Sequence, residues 1–113
     1  MEILIVEDDA DLREILTFNL ESAGYSVTCV GSAEEGLKKL NPGISLAILD
    51  VMLPGMSGFQ MARKIREEGN SNLPIIFLTA RTSENDILTG FSAGGDDYLG
   101  KPFSTSELLS RVK

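Results

Sequence analysis

Residues 2–9 read EILIVEDD, an apolar run that stops against three adjacent acids, Glu7, Asp8 and Asp9. The run has no polar alternation. It therefore predicts a strand over residues 2–7 that is buried on both faces, the habit of parallel sheets. The next segment, DLREILTFNLESAG (11–24), has helical spacing. Leu12, Ile15, Leu16, Leu20 and Ala23 are predicted on its buried stripe, and Gly24 is its stop.

The same alternation continues along the chain. SVTCV (26–30) predicts a second strand, and SAEEGLKKL follows with a capping box of Ser32 and Glu35. SLAILD (45–50) predicts a third buried strand. Pro54 and Gly55 mark a turn, and Gly58 opens a helix with Met61, Ala62 and Ile65 facing inward. IIFLT (75–79) is a fourth strand, SENDILTGFSAG (83–94) a helix carrying Gly90, and DYLGK (97–101) a short fifth strand. Ser104 and Glu107 form a second capping box at the start of the last helix, STSELLSRV. Strands alternating with helices predict an α/β, doubly wound (βα)5 fold. Its five-stranded parallel sheet has the flavodoxin-like order 2-1-3-4-5.

Composition narrows the function. The 113 residues fit one domain over 1–113, 42% hydrophobic and 24% charged. No apolar run is long enough to span a membrane, and an acid stands at position 2 where a secretory leader carries positive charge. The single cysteine, Cys29, excludes a disulfide within the chain. It is expected as a small buried hydrophobe in a reducing, cytoplasmic setting. A net charge of −7, from 17 acids and 10 bases, argues against direct nucleic-acid binding by this domain. With no histidine, the chain has no imidazole base, ligand or phosphoryl carrier. A metal ion must be held by oxygen, which points to Mg²⁺.

In doubly wound sheets the chemistry sits beyond the carboxyl ends of the strands, at the switch between strands 1 and 3. There the predicted topology gathers Glu7 and Asp8 from strand 1, Asp50 from strand 3, Thr79 from strand 4 and Lys101 after strand 5. Three converging carboxylates call for a cation among them. Asp9 is expected to cap the first helix instead.

The motifs IVEDD (5–9), ILDVMLPGMSGF (48–59), IIFLTAR (75–81) and GGDDYLGKPF (94–103), in this order and spacing, resemble the receiver domain of bacterial two-component response regulators. The similarity is closest to the OmpR/PhoB type. The resemblance implies that Asp50 accepts a phosphoryl group from a sensor histidine kinase or a histidine phosphotransfer protein. It implies Mg²⁺ held by Asp8, Asp50 and the Met52 carbonyl, with Glu7 acting through water. Lys101 is implied to pair with Asp50, aimed by a cis bond to Pro102, and Thr79 to move toward the phosphoryl group. Tyr98 then turns from an outward to a buried position and remodels the face made by the fourth helix, fifth strand and last helix. That face is implied to form a homodimer using Asp97, Glu107 and Arg111. The implied output is a DNA-binding transcription-regulator segment, and the last helix is shorter than the resemblance leads one to expect.

The chain also departs from this pattern. Ile87, after Asp86, stands where a base is usual, and Thr89 also lacks charge, so Glu107 lacks its implied partner in the dimer. Gly90, Gly94, Gly95 and Gly100 make the run between fourth helix and fifth strand rich in glycine, predicting a mobile region. The resemblance also implies that Met52 and Arg81, two places after Asp50 and Thr79, tune phosphoryl lifetime. An aspartyl-phosphate phosphatase would need a second acid at position 52, where Met52 moves no proton. No G-x-G-x-x-G or P-loop follows the first strand. A single-domain receiver that shuttles phosphate is the remaining alternative.

Overall fold

Each predicted strand forms in the computed structural model, which describes residues 1–68, 72–79, 92–101 and 104–112. The strands are β1 (Glu2–Val6), β2 (Ser26–Val30), β3 (Ile44–Asp50), β4 (Ile75–Thr79) and β5 (Asp97–Gly100). The helices are α1 (Ala10–Ser22), α2 (Ala33–Lys39), α3 (Gly58–Glu67) and a last helix, Thr105–Val112. All strand pairs are parallel, in the order β2-β1-β3-β4-β5. The reversal of strand order falls between β1 and β3, as the sequence predicts.

The apolar run of β1 shows why the sheet is covered on both sides. Leu4 and Val6 point into one core with Leu49, Phe77 and Met61, Ala62 and Ile65 of α3. Ile3 and Ile5 point into the other, with Ile48, Leu78, Leu16 and Leu20 of α1, and Leu108 and Val112 of the last helix. All four β1 side chains are fully buried. At about 25 cal/mol per Å² of apolar surface, such residues are the main source of stability.

Two positions of the predicted α1 stripe lie outside the core. Ile15 is exposed, as is Ala23, while Leu12 is half-buried. Leu12, Leu16 and Leu20 form the true i, i+4 row. Ile15 is rotated about 100° from Leu16 and clears the sheet edge. Its neighbour Phe18 is 71% exposed.

Caps set the helix limits. Asp9 accepts hydrogen bonds from the backbone N–H groups of Asp11 and Leu12, the role expected of it. Gly24, at φ +97°, ends α1 in the left-handed region. Ser32 and Ser104 receive the N–H groups of Glu35 and Glu107 as predicted, and Ser57 with Gln60 adds a complete capping box on α3.

At the amino ends of β4 and β5, Arg66 ties three segments together. It donates to the carbonyls of Leu73 and Gly94 and pairs with Asp96, whose carboxylate also takes the Ile75 N–H. Gly94 has φ +108°, and a Cβ there would lie 2.7 Å from Arg66 Cγ. Gly94 is thus anchored to α3, and Gly100 lies within β5. Gly90, Asp86, Ile87, Thr89, Arg81 and Pro102 lie outside the described residues, as does nearly all of the predicted fourth helix.

Candidate functional site

The site is built by residues at the last paired position of a strand or just past it. Val6 pairs with Val30 and Leu49, so Glu7 leaves the ladder beside Asp50, the last residue of β3. Thr79 pairs with Gly100, and the next residue, Lys101, still donates its N–H to the Thr79 carbonyl. The sheet therefore fixes four of these backbones before any side chain is placed. Gly58 at the start of α3 closes in behind, since a Cβ there would sit 2.2 Å from the Asp50 carbonyl oxygen.

Side chains converge as predicted. Carboxylate oxygens of Glu7, Asp8 and Asp50 all lie within 4.8 Å of one another. Glu7 and Asp50 are buried, Asp8 opens to solvent, and Thr79 is fully buried. Lys101 reaches both buried acids, and the shorter contact is to Glu7: Nζ lies 2.7 Å from Glu7 Oε1 and 3.4 Å from Asp50 Oδ2. Its implied pairing with Asp50 is present but secondary. The Met52 N–H, 3.3 Å away, donates to Asp50 Oδ1.

Electrostatics follow from this crowding. Partial desolvation raises the Asp8 pKa, helped by its hydrogen bond with Glu7 and by the Glu7 charge; its backbone and Lys101 oppose the rise. Desolvation alone would lower the Lys101 pKa, but the hydrogen bond with Glu7 and the charges of Asp50 and Glu7 reverse this, and the net shift is upward. The ammonium stays charged between the acids. Burial raises the pKa of the half-buried Cys29, which stays a thiol at neutral pH.

An all-oxygen cluster open on the Asp8 side suits a hard divalent cation better than a soft one. The donors are anionic and already gathered, with one ammonium offsetting part of their charge.

Tyr98 is half-buried, its ring 6.1 Å from that of Phe77 and 6.5 Å from that of Phe59. Asp97 and Arg111 contact each other within the chain at 3.4 Å, and Glu107 is drawn to Ser104 at the head of the last helix. Residues that the sequence reading passed over also touch the site. Arg13 donates to the Glu7 carbonyl at 2.7 Å. A single arginine in an amphipathic helix carries no signal of such a contact.

A doubly wound sheet with its acids at the switch point places the chain among proteins that work at the carboxyl edge of the sheet. Residues 3–113 match the response regulator receiver domain, and the chain belongs to that family. It is 47% identical over 110 residues to the uncharacterized transcriptional regulatory protein YrkP of Bacillus subtilis, covering 97% of this chain and 47% of that protein. It is 43% identical over 114 residues to the phosphate regulon transcriptional regulatory protein PhoB of Rhizobium meliloti, covering 99% and 50% respectively. Among solved structures, the chemotaxis protein CheY4 of Vibrio cholerae superposes with a TM-score of 0.93 at 30% identity, over 98% of this chain and 94% of that one. The chain spans about half the length of the curated relatives it matches. It is a receiver domain of the two-component response regulator kind, with transcriptional regulators among its homologues.

Proposed function

We propose that this domain is a phosphorylation-operated switch in which Asp50 is the phosphoacceptor. The observation that carries the reading is the meeting of Asp50 with Glu7, Asp8 and Lys101 at the carboxyl edge of the sheet. An Asp50 carboxylate oxygen attacks the phosphorus of a phosphohistidine on a partner kinase or phosphotransfer protein. The new P–O bond forms as the P–N bond breaks, and the departing imidazole takes a proton. Asp8, Asp50 and the Met52 carbonyl would hold Mg²⁺, with Glu7 behind them. When bound, Mg²⁺ neutralises charge on the transferring group. Lys101 supplies a second, fixed positive charge and draws toward the phosphoryl group as it arrives. Thr79 offers its hydroxyl to a phosphoryl oxygen.

The output reading follows from the same elements. Thr79 pairs with Gly100 of β5 and Lys101 follows that strand, so their adjustment is passed to Tyr98 and to the face of β5 and the last helix. Asp97 and Arg111 would exchange their contact within the chain for reciprocal contacts with a second copy, with Glu107 at the rim. The regulated segment would be a DNA-binding transcription-regulator domain; the two longer relatives are both named transcriptional regulatory proteins.

Incubation with acetyl phosphate and Mg²⁺, followed by intact mass measurement, tests the core claim. A phosphate adduct that needs divalent cation and is lost in Asp50→Asn is expected; an adduct that persists in Asp50→Asn would overturn the assignment. Sedimentation with and without beryllofluoride tests the dimer, and a monomer in both conditions would remove it.

A further inference from the structure

Besides the hydrogen bond it shares with Asp8, Glu7 is held at four points. Its N–H donates to the Val30 carbonyl, its Oε2 receives the Asp9 N–H, its Oε1 receives Lys101 Nζ, and its carbonyl receives Arg13 Nη1. The first three belong to the sheet, the α1 cap and the site itself. The fourth comes from the first turn of α1, and the phosphoacceptor chemistry makes no use of it. At 2.7 Å it is a short, charge-assisted hydrogen bond.

Its target explains its consequence. Glu7 lies one residue beyond the last paired residue of β1, where the ladder no longer dictates the direction of its carbonyl. That carbonyl and the Asp8 N–H share one rigid peptide plane. Fixing the plane therefore places the Asp8 Cα and leaves rotation about the Asp8 N–Cα bond as the backbone freedom that aims its side chain. Asp8 needs such help: it is the exposed member of the cluster, while Glu7 and Asp50 are buried. Gly31, just past β2, makes room for the arrangement. A Cβ at Gly31 would lie 3.0 Å from Arg13 Nη1, the atom that makes the hydrogen bond.

We propose that Arg13, passing over Gly31 to the Glu7 carbonyl, is a positioning residue that orients the Glu7–Asp8 peptide and so sets the affinity of the acidic site for a divalent cation. The inference rests on the reading of that site as a cation site. Partners that orient metal ligands without touching the metal are worth about tenfold or more in affinity. Loss of a nearby positive charge acts in the opposite direction, because a cation is bound more tightly where there is less repulsion. The two effects can thus be told apart by sign.

The test is Mn²⁺ binding to the 113-residue chain, read from the electron paramagnetic resonance signal of the free ion, with thermal unfolding in the absence of metal as a second readout. Arg13→Gln is expected to weaken Mn²⁺ binding about tenfold. Arg13→Lys keeps the charge but not the planar guanidinium, and should also weaken it, by less. Gly31→Ala pushes Nη1 away from the carbonyl without backbone strain and should act in the same direction. The double variant should bind no more weakly than Arg13→Gln alone, since both changes remove one contact. Arg63→Gln, an exposed α3 position with the same change of charge, should leave binding unchanged. Unchanged or tighter Mn²⁺ binding in Arg13→Gln would overturn the Arg13 role while leaving the cation site standing. No Mn²⁺ binding by the unmodified chain would overturn both.

Discussion

Removing the Lys101 ammonium should expose how much repulsion the site contains. Lys101→Met keeps most of the side-chain volume and leaves Glu7 and Asp50, 1% and 4% exposed, with no cation between them. Breaking a buried ion pair from one side costs about 3–5 kcal/mol. Lys101 is 26% exposed and its longer contact is 3.4 Å, so the lower end, about 3 kcal/mol, is expected without metal. For a domain of this size that lowers the melting temperature by about 12 °C. The dependence on pH has a definite sign. The folded pKa of Lys101 is raised above 10.5, so its contribution is complete at neutral pH and is lost as pH rises through the raised value. Mg²⁺ at roughly 100 times its dissociation constant should return up to about 2.7 kcal/mol. Asp50→Asn in the same background should recover most of the loss even without metal. Thermal unfolding by circular dichroism, with EDTA and with Mg²⁺, reads all of these effects. A metal-free Lys101→Met protein melting within about 2 °C of wild type would refute the reasoning, since that is under 1 kcal/mol.

Three further outcomes follow from other contacts. Gly58→Ala places a Cβ 2.2 Å from the Asp50 carbonyl oxygen and 2.9 Å from its carbon, both backbone atoms; urea unfolding should show a loss of about 3 kcal/mol, and phosphorylation should slow with it. Asp8 has a folded pKa raised above 3.8, so its favourable contribution exists below that value and is lost as pH rises through the folded one. Asp8→Asn should therefore stabilise the metal-free protein at pH 7, by less than about 1 kcal/mol because the group is exposed, with the gain fading as pH falls through the raised folded value; a loss of stability at pH 7 would contradict this. Phe18→Ser, at a 71% exposed position beside exposed Ile15, should change stability by under about 0.5 kcal/mol and leave phosphorylation by acetyl phosphate unchanged. Phosphotransfer from the partner kinase should slow about tenfold if this apolar face is a contact surface, and an unchanged rate would remove it from the interface.

The strands were legible because a strand buried on both faces leaves an unmistakable apolar run, as in ILIV of β1 and IIFL of β4. Once strand order followed, so did the meeting of Glu7, Asp8, Asp50, Thr79 and Lys101, because each stands at or just past the end of a strand. The partner preferred by Lys101 was not legible, since it depends on side-chain geometry over 94 residues of separation. The Arg66–Asp96 clamp was hidden for the same reason, being a pair 30 residues apart that reads in sequence as two solvated charges. Periodicity placed Ile15 on the buried stripe of α1 because it gives the direction of a face without its width; where the sheet ends is a tertiary fact. The capping box of Ser57 and Gln60 is present in the sequence as S-x-x-Q, but Gly58 and the Pro54-Gly55 turn before it read equally well as loop.

On the proposed function, the unequal contacts of the two buried acids suit them to different tasks. Glu7 holds its partners at 2.7–3.1 Å through side chain and backbone alike. Asp50 has contacts of 3.3 and 3.4 Å, near the outer limit for a useful hydrogen bond. A carboxylate gripped by short charge-assisted bonds has its lone pairs committed and makes a poor nucleophile. One held loosely, yet buried and fixed at the last residue of a central strand, keeps its electrons available and its position defined. Lys101 accordingly rests on Glu7 and is within reach of Asp50 without being locked to it. On the proposed function, this lets the ammonium follow the phosphoryl group to Asp50 by exchanging one anionic partner for another rather than by breaking a tight pair at the reacting oxygen. Glu7→Gln tests this division of labour. It should shorten the contact between Lys101 and Asp50 and slow phosphoryl uptake, although Asp50 itself is untouched. Faster uptake in that variant would show that Glu7 restrains Lys101 instead of parking it.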